Sequence, residues 1–186
     1  YCLVAIFVAF FSLGTGCSKT GSVKTTLAKI DAGAWHYNAE DDVYWQVGIP
    51  YVASPADASY ETLGVFVPGA YFNATKKADG LFSVTVNTAN AVSGYTSRTA
   101  PFVMPIETPG YAALSAPTDY VSAIKDYTDA GFIFVFAGAR GRDHGAPAGV
   151  TDFKAAIRYV RYNKAILPGD TARVFTYGMS GGGAQS

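Results

Sequence analysis

The stretch TYGMSGGGAQS (residues 176–186) places four glycines around Ser180. Gly178 stands two residues before this serine and Gly182 two residues after it, which gives the spacing Gly-x-Ser-x-Gly. The spacing predicts a sharp strand-to-helix turn, because side chains at the two glycine positions would collide across such a bend. A serine hydroxyl held above a sheet edge in this way can attack an acyl carbon, so the chemistry indicated is acyl transfer.

A flexible glycine linker is the alternative interpretation of these residues. It is disfavoured because the run VFTY (residues 174–177) precedes the turn directly, and an apolar, β-rich run is typical of a buried strand. A phosphate-binding loop is not indicated either, since the stretch lacks the spacing and the terminal lysine of such loops.

Strands must position this turn, and three further runs predict them: residues 43–49, 63–67 and 132–137. Together with residues 174–177, these runs show no strict alternation of apolar and polar residues. That pattern indicates strands covered on both faces, as in a parallel sheet. We therefore expect an α/β fold with a mostly parallel sheet and flanking helices.

Helices are predicted between the later strands. Residues 119–130 carry apolar residues at helical spacing, with Gly131 as a C-terminal stop. Thr151 is the predicted N-cap of a second helix, whose apolar face consists of Phe153, Ala156, Ile157 and Val160. Residues 76–116 are too long for a simple connection and predict a hairpin or an excursion over the sheet edge.

An acyl-transfer site also needs two N–H donors for the developing oxyanion. The residue after the nucleophile, Gly181, would supply one of them. The turn that follows the strand at residues 63–67 contains Gly69 and Ala70, small residues that allow a close backbone approach. Taken alone this is an ordinary strand-ending turn, but paired with the serine turn it predicts the second donor at Gly69 or Ala70.

Composition excludes several classes of function. Fourteen basic and fourteen acidic residues cancel, so there is no basic stripe for nucleic acid. The apolar fraction of 49% excludes a disordered chain. The sequence shows no metal-ligand cluster and no cofactor motif, so the expected partner is a small molecule and no cofactor is expected.

The amino-terminal residues indicate a targeting signal. An apolar run at residues 2–11 is typical of a secretory signal and too short for a membrane-spanning helix. LGTGC, ending at Cys17, resembles a bacterial lipoprotein cleavage box, with plain secretion or an uncleaved anchor as alternatives. We expect residues 1–17 to be the signal with lipidation at Cys17, residues 18–34 a tether, and residues 35–186 the folded part, located in the cell envelope or secreted.

Beyond the turn itself, residues 151–163, 168–174 and 177–186 resemble the α/β-hydrolase carboxylesterases, most closely their tannase-like and feruloyl-esterase-like branch. The resemblance implies the N-terminal part of an α/β-hydrolase domain, incomplete at its C-terminus. It also implies that Ser180 is the nucleophile and that the substrate is an ester of an aromatic acid such as gallate or ferulate. The Pro-Gly-Ala-Tyr turn at Gly69 differs from the His-Gly-Gly-Gly of many esterases.

The family order of a catalytic triad is serine, acid, histidine, which places both partners of Ser180 downstream of Ser186. His144, beside Arg142 and Asp143, is interpreted as solvated or structural, and His36 is a weaker candidate still. Two other functions stay open: a peptidase or thioesterase on the same fold, and a non-catalytic envelope lipoprotein that binds carbohydrate or aromatic ligands.

Overall fold

The computed structural model describes residues 26–145 and 147–186, and its centre is one six-stranded sheet. The strands described are β1 (His36–Asn38), β2 (Val43–Pro50), β3 (Thr62–Pro68), β4 (Phe72–Lys76), β5 (Phe82–Val86), β6 (Ala91–Val92), β7 (Tyr95–Thr96), β8 (Phe102–Ile106), β9 (Ile133–Ala137) and β10 (Val174–Gly178). The α-helices described are α1 (Lys125–Asp129), α2 (Ala148–Tyr162) and α3 (Gly181–Gln185). Single 3₁₀ turns cover Gly69–Tyr71, Pro109–Tyr111, Ser122–Ile124 and Arg142–His144.

The order of strands in the main sheet is β1-β2-β3-β9-β8-β10. Among the described strands, β1–β2, β2–β3 and β3–β9 pair antiparallel, whereas β9–β8 and β8–β10 pair parallel. The expectation of a mostly parallel sheet is therefore wrong. Burial on both faces, seen along almost all of β3, does not require parallel pairing, because it arises here from apolar clusters that cover both faces of the sheet.

All four predicted strands form, as β2, β3, β9 and β10. The sequence prediction missed β8, which lies inside the segment 76–116 and separates β9 from β10 in the sheet. The same segment holds the small hairpin β6–β7 and the strand β5, which pairs with β4 at the start of the segment, so a predicted hairpin is present.

The helices differ from the prediction in their bounds. Only the second half of 119–130 is α-helical, as α1, and a 3₁₀ turn precedes it. The other helix, α2, begins at Ala148, one turn before the predicted N-cap Thr151. The Thr151 hydroxyl lies inside this helix and donates to the Ala148 carbonyl at 2.7 Å instead of capping the N-terminus. Pro147, whose fixed φ suits the start of a helix, stands at the N-cap.

Two apolar clusters cover the faces of the sheet. One packs the inner side of α2, including Phe153 and Val160, against residues of β3, β8 and β9. The other places Ile124, next to α1, against Phe66 and Phe134. Each fully buried side chain of this size contributes roughly 1.5–3 kcal/mol, so the two clusters hold the sheet rigidly beneath its loops.

The segment before β1 belongs to the folded domain rather than to a free tether. Ile30 is buried, and its N–H donates to the Asn163 side chain at 2.9 Å. The Tyr159 hydroxyl of α2 donates to the Ala28 carbonyl at 3.0 Å. The tether expected at 18–34 is therefore packed against the domain from about Leu27 onwards. None of the described helices is long and apolar enough to cross a lipid bilayer.

Candidate active site

Ser180 lies in the turn between β10 and α3, at the sheet edge where β8, β9 and β10 all end. Its backbone angles are φ 54° and ψ −120°, a conformation that residues other than glycine rarely adopt. Such strain costs of order 1–3 kcal/mol and persists only where the surroundings impose it. The residue is exposed, and among the described residues its hydroxyl has no hydrogen-bond partner. The oxygen is thus presented to solvent.

The glycines on either side allow the turn to close. A Cβ atom on Gly178 would lie 2.5 Å from the carbonyl carbon of Gly182 and 2.5 Å from the carbonyl oxygen of Ile106. A Cβ atom on Gly182 would lie 2.0 Å from that same oxygen. The structure therefore brings the two glycines into backbone contact with each other and with the end of β8.

The loop that follows β8 covers Gly181. A Cβ atom on Gly181 would lie 2.7 Å from the backbone nitrogen of Tyr111 and 3.1 Å from that of Gly110. The Tyr111 N–H already donates to the Thr108 carbonyl at 3.0 Å. Within the described chain, the N–H groups of Gly110 and Gly181 have no hydrogen-bond acceptor. An oxyanion site needs two donors aimed at one point, and these two N–H groups belong to segments that are in backbone contact.

The structure does not bring Gly69 and Ala70 to Ser180. They follow β3, which runs antiparallel to β9, so they lie at the opposite edge of the sheet. The Gly69 N–H is also occupied, since it donates to the Asp42 carbonyl at 2.7 Å. A Cβ atom on Gly69 would lie 1.9 Å from a carboxylate oxygen of Asp42, and this contact explains the glycine. The structure therefore places the loop after β8, and not Gly69 or Ala70, beside the serine turn.

Sequence reasoning missed this loop although a signal was present. FVMPI (residues 102–106) is an apolar run, and Thr108-Pro109-Gly110 follows it as a small-residue turn. A small-residue turn after an apolar run is the same pattern that predicts the turn at Gly69. Strained backbone marks the loop in the structure, where both Gly110 and Tyr111 have positive φ, 58° and 61°.

An open groove of about 340 Å³ adjoins the serine turn. It is lined by the end of β8 and its loop together with the end of β10: Pro105, Ile106, Glu107, Thr108, Pro109, Tyr177, Gly178 and Met179. The Met179 side chain is 87% exposed. The pKa of Tyr177 is raised to about 12, first by burial and second by the contact with the Tyr127 hydroxyl. Its phenol is therefore neutral at neutral pH. The groove can receive an apolar or aromatic group.

Neither histidine of the chain contacts Ser180. His36 lies on β1, at the far edge of the sheet, where its ring stacks on Trp45 at 4.3 Å. His144 follows β9, and its Nε2 lies 3.6 Å from a carboxylate oxygen of Asp57. Neither histidine is therefore placed to accept the proton of Ser180.

A second loop, residues 138–145 after β9, supports the loop after β8. Arg140 in this loop forms a partly buried ion pair with Asp152 of α2, with Nη2 and Oδ1 2.7 Å apart. Hydrogen bonding to Asp152 raises the pKa of Arg140. Arg142 donates from Nη1 to the Gly110 carbonyl at 3.0 Å.

Two expectations concern other chemistry. Cys17, the predicted lipidation site, lies outside the described residues. In the part of the chain that the structure describes, no group of three or more His, Cys, Asp or Glu side chains is placed to hold a metal ion.

A sheet flanked by helices, with a strained and exposed serine between a strand and a helix, has the architecture of an α/β hydrolase. The family model of BD-FAE matches residues 69–186, more than half of the chain. The chain therefore belongs to the BD-FAE family, and its structural neighbours are tannases. No curated protein matches the chain.

Three solved structures illustrate this similarity. The native tannin acyl hydrolase of Lactobacillus plantarum is 38% identical, with a TM-score of 0.61 over 77% of this chain and 31% of that one. A tannin acyl hydrolase in complex with ethyl gallate is also 38% identical, with a TM-score of 0.61 over 77% and 32%. The tannase of Fusobacterium nucleatum is 28% identical, with a TM-score of 0.62 over 77% and 30%. The chain spans about a third of the length of these proteins.

Proposed function

We propose that the protein hydrolyses carboxylic esters of aromatic acids through an acyl-enzyme on Ser180. The observation that carries the proposal is the exposed hydroxyl of Ser180, held at φ 54° by a turn that only glycines can close. Membership of the BD-FAE family and similarity to tannases support the same reaction.

In this mechanism the Ser180 oxygen attacks the ester carbonyl carbon and forms a tetrahedral oxyanion. The N–H groups of Gly181 and Gly110 donate to that oxyanion, and loss of one such donor typically costs about 3 kcal/mol of transition-state stabilisation. A histidine oriented by an acidic residue accepts the serine proton and returns it to the leaving alcohol. Both partners are expected downstream of Ser186, as the family order implies.

The lining of the groove favours a substrate with an aromatic acyl group. Tyr177 and Met179 offer exposed apolar surface beside the serine, and Glu107 adds a carboxylate at the rim. Ring faces and thioethers contact aromatic rings favourably. A structural neighbour was solved with ethyl gallate, an ester of a phenolic acid, and this also favours such a substrate.

The test is turnover of methyl gallate, methyl ferulate and a plain alkyl ester by the full-length protein and by its Ser180→Ala variant. We expect turnover of the aromatic esters, and a loss of at least about 10³-fold in the variant with an unchanged unfolding midpoint. The matched control is Ser186→Ala, which removes another exposed serine hydroxyl of the same segment and should keep activity. Normal turnover in Ser180→Ala would refute the mechanism.

We also propose that the protein is lipid-anchored at Cys17 in a bacterial cell envelope. The support is the apolar run that precedes LGTGC in the sequence. Metabolic labelling with a palmitate analogue should mark the wild-type protein and not Cys17→Ser. Labelling of that variant would contradict the proposal.

A further inference from the structure

Arg142, in the loop after β9, forms a hydrogen bond to the loop after β8 at Gly110. Its Nη1 donates to the Gly110 carbonyl at 3.0 Å, although the arginine itself is exposed. The Tyr111 N–H, on the other end of the same peptide unit, donates to the Thr108 carbonyl at 3.0 Å. The peptide that joins Gly110 to Tyr111 is thus fixed at both ends.

This fixation matters because the segment is prone to relax. Gly110 adopts φ 58°, and a glycine exchanges easily between left- and right-handed conformations. Tyr111, at φ 61°, has a conformation that non-glycine residues disfavour. Without a partner for the Gly110 carbonyl, the turn can rotate, and the free Gly110 N–H then leaves its position beside Gly181.

The loop that carries Arg142 is itself rigid. The N–H, Nε and Nη2 groups of Arg140 donate to the Asp152 carboxylate at 2.8, 3.0 and 2.7 Å. Ala139 and Leu114 exchange two backbone hydrogen bonds of 2.8 Å, which join the two loops directly. Arg142 therefore projects from a backbone that α2 holds in place.

We propose that Arg142 is a positioning residue for catalysis: it fixes the Gly110 N–H as the second oxyanion donor through the Gly110 carbonyl. The inference rests on the proposed esterase function. Arg142 touches neither the nucleophile nor the reacting atoms in this assignment, so it acts on the rate of the chemical step and leaves substrate affinity unchanged.

The experiment compares Arg142→Ala, Arg142→Lys and the matched control Arg158→Ala, an exposed arginine on α2, in the full-length protein. Readouts are kcat and KM for an aryl ester, the rate of covalent labelling by a fluorophosphonate, and the thermal unfolding midpoint. We expect kcat and labelling to fall together by about 10- to 100-fold in Arg142→Ala, somewhat less than the loss of a whole donor. KM and the midpoint should stay unchanged, Arg142→Lys should recover part of the loss, and Arg158→Ala should match wild type.

Wild-type kcat in Arg142→Ala would overturn the inference while leaving the esterase function intact. A raised KM with unchanged kcat would also overturn it, because Arg142 would then contact substrate. If Arg142→Ala does not fold, full activity in Arg142→Met, which keeps an unbranched side chain but cannot donate to the Gly110 carbonyl, would count against a positioning role. A wild-type protein without turnover or labelling would overturn both proposals.

Discussion

The backbone of Gly182 lies against the carbonyl oxygen of Ile106, so closely that a Cβ atom on this glycine would come within 2.0 Å of it. This contact seats the first turn of α3 on the end of β8. Gly182→Ala must therefore push α3 away from the sheet and release the strain at Ser180. We expect a loss of at least about 2 kcal/mol in the free energy of unfolding and loss of esterase turnover.

Urea unfolding and ester turnover measure both effects. Gly33→Ala is the matched control, because a Cβ atom there would make only an ordinary 3.4 Å contact with the Asp31 side chain and the residue has no positive φ. Wild-type stability in Gly182→Ala would show that the contact between Gly182 and the Ile106 carbonyl is not as tight as these distances require.

Ser180 itself allows a separate test of backbone strain. Ser180→Ala and Ser180→Gly both remove the hydroxyl, but only glycine adopts φ 54° and ψ −120° without a steric penalty. The glycine variant should therefore be more stable than the alanine variant by about 1 kcal/mol, after the roughly 0.5–1 kcal/mol entropic cost of glycine is subtracted. Denaturant unfolding of the two inactive proteins gives this difference, and a more stable alanine variant would mean that the turn is not strained.

The serine turn was predictable because its signal is local. An apolar run, two glycines at fixed spacing and small residues after Ser180 lie within a few positions of one another, and β10 and α3 form there. The expectation that this run is a buried strand is wrong, because β10 is the last strand of the described sheet and exposes Phe175 and Tyr177. The strands β2, β3 and β9 were predictable for the same reason, since each is a compact apolar run.

The direction in which β3 pairs with β9 was not predictable from the sequence. The wrong direction also led to the expectation that Gly69 lies near Ser180. Apolar residues on both faces of β3 indicate coverage, which is compatible with either direction of pairing. Had β3 run parallel to β9, Gly69 would have lain on the edge of Ser180. Because it runs antiparallel, the loop beside Ser180 is the one that follows β8. The apolar run of β8 contains Pro105 and lies in a mostly polar segment, so the sequence prediction missed it.

The ion pair between the half-buried Arg140 and the buried Asp152 should be costly to break from one side. Asp152 is 2% exposed, and the guanidinium and backbone of Arg140 would lose three hydrogen bonds with its removal. We expect Asp152→Ala to lower the free energy of unfolding by about 3–5 kcal/mol. The Arg140 guanidinium also lies 3.8 Å from a carboxylate oxygen of the buried Glu61. The triple variant Arg140→Met/Asp152→Leu/Glu61→Gln should cost less than Asp152→Ala, because it leaves no buried charge of this group without a partner, and urea unfolding of the set measures the difference. Equal losses in the single and triple variants would show that packing, and not charge, sets the cost.

Tyr71 provides a pH-dependent contribution to stability. Its ring is fully buried, and its hydroxyl donates to the Gly131 carbonyl at 2.8 Å. The pKa of Tyr71 is raised to about 12, first by burial and second by the neighbouring Tyr95. In an unfolded chain the pKa of a tyrosine is about 10. A group whose pKa is raised on folding stabilises the protein below the unfolded pKa, and this stabilisation is lost as the pH rises through the folded value.

Tyr71→Phe isolates this contribution. At pH 9 the variant should be less stable than wild type by about 1–3 kcal/mol, because the Gly131 carbonyl loses a buried donor. Between about pH 10 and 12 the wild type should lose about 2–3 kcal/mol that the variant does not lose, so the two curves converge. Urea unfolding at half-unit pH intervals measures both curves. Parallel curves would mean that the Tyr71 phenol ionises as easily in the folded protein as in the unfolded chain.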